Sequence, residues 1–88
     1  MKLLIGAIEY DLIIKPTKGD EPSEVDLNTN TITVGVDLPK NQTHAAILHE
    51  VIHAMNWKIP ENEVEFSAQA WYAFIRNNKD FIREIIDE

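Results

Sequence analysis

From Thr43 to Trp57 the chain reads THAAILHEVIHAMNW. Wound as a helix, Ala45, Ala46, Ile47, Leu48, Val51, Ile52, Ala54 and Met55 point in almost every direction. A helix that is apolar nearly all round has to be covered on several sides. No other feature constrains the fold as strongly, because one element must lie on each side of this segment. The natural arrangement puts it between a sheet built from the residues before it and a helix built from the residues after it.

The preceding residues are β in character. Leu3 to Ile5 and Ile8 to Lys15 are short β-branched or aromatic runs with Gly6 between them, which reads as strand, tight turn, strand. Residues 16–23, PTKGDEPS, are a loop by composition. Glu24 to Leu27 and Thr31 to Val36 flank Asn28-Thr29-Asn30, a second hairpin signal, since Asn tolerates the positive φ of a tight turn. Within TITVGVD, Ile32, Val34 and Val36 fall on one face and Thr31, Thr33 and Gly35 on the other. Pro39 closes the β part, and Asn41 or Thr43 can cap the central helix.

Beyond Trp57, Pro60 can open a second helix at its first turn. Val64, Ala68, Trp71 and Ile75 form one stripe on it, flanked by Ser67 and Phe74, and Asn77-Asn78 can end it. A short last helix over residues 80–87 would turn Phe81, Ile82, Ile85 and Ile86 inward, and Trp57, Trp71 and Phe74 read as core. The expectation is one α+β domain over residues 1–88. In it, N-terminal antiparallel β-hairpins pack on the buried central helix, with a second long helix and a short C-terminal one after it.

Charge narrows the partners. Eight basic residues face fifteen acidic ones, a formal charge of −7, which argues against nucleic acid and against anionic membrane surfaces. There is no run of eighteen apolar residues that could span a bilayer. The N-terminal MKLLIGAIEYDLIIK is interrupted by Glu9 and Asp11 and is followed by no small-residue cleavage site, so it reads as strand and the expected location is the cytoplasm. With no cysteine, any metal has to be held by His and carboxylate.

The central segment also holds three ionisable residues. His49-Glu50-Val51-Ile52-His53 is HExxH. Residues i and i+4 project from one helix face, one turn apart, so both imidazoles can reach one ion, with zinc accepting such nitrogens at about 2.0–2.1 Å. Glu50 lies roughly a quarter-turn away, placed to hydrogen-bond a water on that ion. Such a water has its pKa lowered to about 7, and the carboxylate can take its proton. Unpaired polar groups among apolar neighbours are costly, and a metal satisfies them together.

A zinc site needs a third protein ligand. His44 is about 140° round the helix from His49 and is expected to be an exposed residue at the helix start. Carboxylates of ENEVEF are better placed. Glu61 and Glu65 share one flank of the second helix and Glu63 lies on the other. Glu61 is already accounted for by the helix dipole in its first turn, whereas Glu65, a full turn in beside Val64 and Ala68, most needs a partner. The order is therefore Glu65, then Glu61, then Glu63. The alternative for Glu65 is a contact with Gln69 four residues on. Tyr72, on the same flank, can donate a hydrogen bond to a developing oxyanion or stand as a boundary tyrosine. Asn56 can orient a ligand or cap the helix C-terminus.

HEVIHAMNW together with EVEFSAQAWYAFIRNNKDFIREI resembles the compact ImmA/IrrE-type metallopeptidase-like proteins, many of them phage or prophage encoded. The shared plan is a short β region, a leucine- or isoleucine-flanked HExxH, a V-E-x-x-A helix, and an Asn-rich break into a last apolar helix. The resemblance is clearest from Leu48 to Ile86. The first forty residues match in outline through Gly6, Tyr10 and a strand ending in Asp37. Lys79 stands where relatives often carry proline. The resemblance implies a gluzincin-like site with His49 and His53 as ligands, Glu50 as general base and Glu65 as third ligand.

Two functions are compatible with these residues. The first is a zinc-dependent peptidase acting on a peptide or protein substrate. The second is a metal-stabilised binding module that holds a host or phage protein without cleaving it. Two His and one Glu leave a coordination position open, and Glu50 has no task in a purely structural site, so the first is favoured. The strand Thr31 to Val36 could take an extended peptide by edge pairing, or lie inside the sheet.

Overall fold

The computed structural model describes residues 1–16, 23–35 and 40–88. Four strands come first: β1 (Lys2–Ile5), β2 (Ile8–Lys15), β3 (Glu24–Asp26) and β4 (Thr31–Gly35). Three helices come next: α1 (Lys40–Met55), α2 (Glu61–Asn77) and α3 (Lys79–Ile86). The class is α+β. Val36, Pro39, the Asn41 side chain and the interior of the 16–23 loop lie outside the described residues. Thr43 is the fourth residue of α1, too far in to be its cap.

Both hairpins form. Gly6 turns the first at φ 63°, a value glycine adopts without a steric penalty, and sets Leu3 opposite Tyr10. In the second, Asn30 takes φ 50° and the Asp26 carboxylate accepts the backbone N–H groups of Asn28 and Thr29. The purely antiparallel arrangement fails at the seam between them. The strand order is β1-β2-β4-β3, and β2 runs parallel to β4 with Leu12 beside Ile32. The reason lies in the residues. Ile32 and Val34 are fully buried, so β4 takes an inner place. β3 has three residues with exposed charged ends and suits the edge, where charge discourages further pairing. Of the two readings of Thr31–Val36, the internal one holds for the described part.

Ile5, Tyr10, Leu12, Ile32 and Val34 make the sheet's inner face, and Ala46, Ile47, Val51 and Ala54 of α1 pack on it. α2 lies against the other side of α1, burying Val64 and Ala68. The central helix is thus held between sheet and helix, as its composition requires. Coverage is incomplete, since Ile47, Leu48, Val51 and Ile52 are only half-buried. Two expectations fail further out. Trp57, Trp71, Phe74 and Ile75 are exposed. Phe81, Ile85 and Ile86 are exposed rather than inward, and only Ile82 is partly covered. Among the described elements α3 touches α2 alone. The sheet sits on the far side of α1, so among the described elements only α3 meets α2 beyond its contact with α1.

Ile32→Ala is expected to lower the unfolding free energy by about 2–5 kcal/mol through the cavity it leaves, read from urea midpoints. Leu4→Ala, at an exposed position of β1, should stay within about 0.5 kcal/mol of the parent.

Candidate metal centre

The two long helices run antiparallel, which sets their side chains in matched order. His53 meets Glu61, His49 meets Glu61 and Glu65, and the His44 ring lies 6.4 Å from that of Tyr72. The imidazoles of His49 and His53, one helical turn apart, have centroids 4.9 Å apart. Glu61 spans them. Its Oε1 is 2.6 Å from His49 Nε2, and its Oε2 is 2.8 Å from His53 Nε2. Glu65 Oε2 stands 2.6 Å from the other ring nitrogen of His49, Nδ1. Gln69 Nε2 donates to Glu65 Oε1 at 3.1 Å.

The group brought together is therefore His49, His53 and Glu61, whose ligating atoms all lie within 4.8 Å of one another. Glu65, ranked first from the sequence, sits behind His49, and Glu61, ranked second, bridges. The Gln69 contact considered for Glu65 is present, and beside it stands a contact with the His49 ring that was not expected from the sequence.

The donor set bears on whether a cation fits. A neutral imidazole carries one N–H and one lone pair, yet both ring nitrogens of His49 face carboxylate oxygens. Two arrangements satisfy this. In one, the ring is a full imidazolium donating twice. In the other, Nδ1–H donates to Glu65 while the Nε2 lone pair and Glu61 share a cation. The second matches the way ligating histidines usually hand their outer N–H to a carboxylate. Three carboxylates, Glu50, Glu61 and Glu65, converge on two imidazoles, so a divalent cation also balances the local charge. The residues present fit such an ion.

Glu50 is 6% exposed. Burial pushes its carboxyl above the ordinary range, opposed by the nearby rings of His49 and His53 and reinforced by Glu61 and Glu24. Glu65 moves the other way. The Gln69 amide holds it below the usual range against some burial, and the His49 ring adds to the effect.

Two open cavities meet at Glu50 and Glu61. One, of about 560 Å³, extends past His49 towards Gln42, Ala46 and Gln69. The other, of about 300 Å³, extends past His53 along Glu24, Val25 and Leu27 to Trp57. Ser23 borders both and accepts the Gly35 N–H through Oγ at 3.2 Å. Together they form a groove that crosses the buried carboxylate beside the edge strand β3.

Tyr72 is not among the residues lining this groove. Its hydroxyl accepts a hydrogen bond from Arg76 at 2.7 Å. His44 is exposed and apart from the clustered ligands, as expected. Asn56 Oδ1 accepts the Lys58 N–H at 3.1 Å, which is the helix-ending role. The groove residues Ser23 and Gln42 carry no signal in the sequence. Gln69 carries one, its four-residue spacing from Glu65. No family model, curated protein or solved structure matches the chain.

The raised carboxyl of Glu50 has a consequence for metal-free protein. Its charge costs the fold stability above its folded-state pKa and costs nothing below the ordinary carboxylate pKa. In chelator-treated samples, Glu50→Gln should raise the urea midpoint at pH 7. The advantage should shrink as pH falls through the carboxylate range.

Proposed function

We propose that the chain is a zincin-like, zinc-dependent peptidase of the ImmA/IrrE-type, hydrolysing peptide bonds in the groove between α1, α2 and β3. The observation that carries the reading is Glu61 spanning the Nε2 atoms of His49 and His53 directly beside the buried carboxylate of Glu50. In this reading His49, His53 and Glu61 hold the ion, and Glu65 fixes the His49 ring through Nδ1. Glu61 thereby takes the place that the family resemblance gives to Glu65. Bound zinc supplies Lewis acidity, making water more acidic and a peptide carbonyl more electrophilic.

The chain's own residues do the rest. Glu50 accepts the proton of the attacking water and returns it to the leaving amine. Its burial, which raises its basicity, suits both transfers. β3 lies at the sheet edge, and its Glu24 and Val25 border the groove. An extended substrate can pair with it as an added strand. Trp57 and Leu27 form an apolar wall near His53 that favours an apolar substrate side chain there. A metal-stabilised binding module would use the same ligands but has no use for a buried carboxylate at the groove floor.

Purified protein should contain one zinc per chain by mass spectrometry and cleave members of a broad peptide library. Glu50→Gln should keep the zinc and lose the cleavage. Stoichiometric zinc with no cleavage by the parent protein would sink the peptidase reading and leave the binding module. The ligand assignment has its own check. Glu65→Ala should weaken zinc binding by roughly 10–100-fold, as loss of a group orienting a ligand does. Glu61→Ala should weaken it more. The reverse order in a competition titration would return the third position to Glu65.

A further inference from the structure

The flank of α2 facing away from the metal centre is apolar and uncovered. Phe66, Ala70 and Phe74 succeed one another at four-residue steps along it, with Phe66 75% and Phe74 41% exposed. Trp71, 56% exposed, stacks edge-on against Phe74 at 5.8 Å, and Phe74 against Phe81 of α3 at 6.2 Å. No charged residue occurs from Phe66 to Ile75, in a chain that is 26% charged. α3 adds Ile85 and Ile86, both exposed. An isolated helix of eight residues is not stable in water, and α2 alone covers little of this one.

We infer that this face is the two-fold interface of a homodimer, with α2 of two copies crossing antiparallel at Ala70. The sequence of the stripe is what selects a second copy as the occupant. It is symmetric about Ala70, so an antiparallel crossing there sets Phe66 of each copy against Phe74 of the other. This is the self-complementary match a two-fold contact needs. Ala70, the smallest side chain of the stripe, lies at the crossing, where the backbones approach most closely.

Charge agrees at the ends. Glu63 begins the same stripe, seven residues before Ala70, and an antiparallel copy places Asn77 opposite it, two residues before Lys79. The chains' net charge of −7 does not oppose the contact, because the stripe between these ends carries none.

Area agrees as well. Taking about 200 Å² for a whole aromatic side chain, Phe66, Trp71, Phe74 and Phe81 hold out roughly 450 Å² per copy. With the α3 isoleucines, two copies exceed the roughly 1,000 Å² that a specific interface needs. Glu61 and Glu65 leave the opposite side of α2, so both grooves stay open in the dimer.

Sedimentation velocity of the full chain over a concentration series should give twice the 10.1 kDa of one chain, with and without chelator. Ala70→Glu and Phe74→Glu should each weaken association by about a hundredfold or more, with unchanged circular dichroism. Glu63→Lys should weaken it less, and Glu63→Lys combined with Lys79→Glu should recover it. A 10.1 kDa particle at every concentration overturns the inference. So does a dimer that dissolves on chelation, or one indifferent to both Ala70→Glu and Phe74→Glu.

Discussion

Where α2 crosses α1, Val64 and Ala68 close over the apolar side of the central helix, while Glu61 and Glu65, a turn apart, reach its two histidines. The same antiparallel seam makes core and site at once. Magnitudes say which part holds it in the absence of metal. Fully burying a residue such as Val64 stabilises by about 1.5–3 kcal/mol. An exposed ion pair of the kind Glu61 makes contributes about 0–1 kcal/mol and is screened by salt. The apolar contact therefore positions α2, and the carboxylates arrive as a consequence of its register. A bound cation would reverse the balance, because metal binding free energy adds directly to folding free energy.

The arrangement also explains how so small a chain can keep a carboxylate buried. Glu50 lies at the junction of two cavities, under Glu61 and beside two imidazoles. Its desolvation is a standing cost that the sheet core must carry. That core is compact, with Ile32 and Val34 at its centre, and it faces one side of α1 only. Beyond the seam the described elements leave the aromatic flank of α2 and α3 open. α2 thus borders the groove on one side and carries the apolar face on the other.

Much of this was legible in the residues. Gly6 and the Asn28-Thr29-Asn30 run located both hairpins, because positive φ is a local demand that few residues meet. The apolar character of 43–57 placed the central helix between two partners, and HExxH placed two imidazoles on one face. Periodicity could not say how far each apolar stripe would be covered. Trp71, Phe74 and Phe81 carry the pattern of core residues, but burial depends on what lies opposite. The parallel seam between β2 and β4 was equally hidden, since strand order depends on which strand is most apolar on its inner face and not on either hairpin alone.

The third partner of the histidines marks the boundary most clearly. The sequence by itself pointed to a carboxylate, because the chain has no cysteine and its remaining histidine points elsewhere on α1, and ENEVEF at the start of the next helix offered the candidates. It ranked Glu65 above Glu61, although the two share one flank of α2 and differ by a single turn, and the structure reverses that order. Only the tertiary structure decided the order, through the axial offset of two antiparallel helices. Burial of Val64 and Ala68 sets that offset, and the offset puts Glu61 level with the gap between His49 and His53 and leaves Glu65 level with the far side of His49.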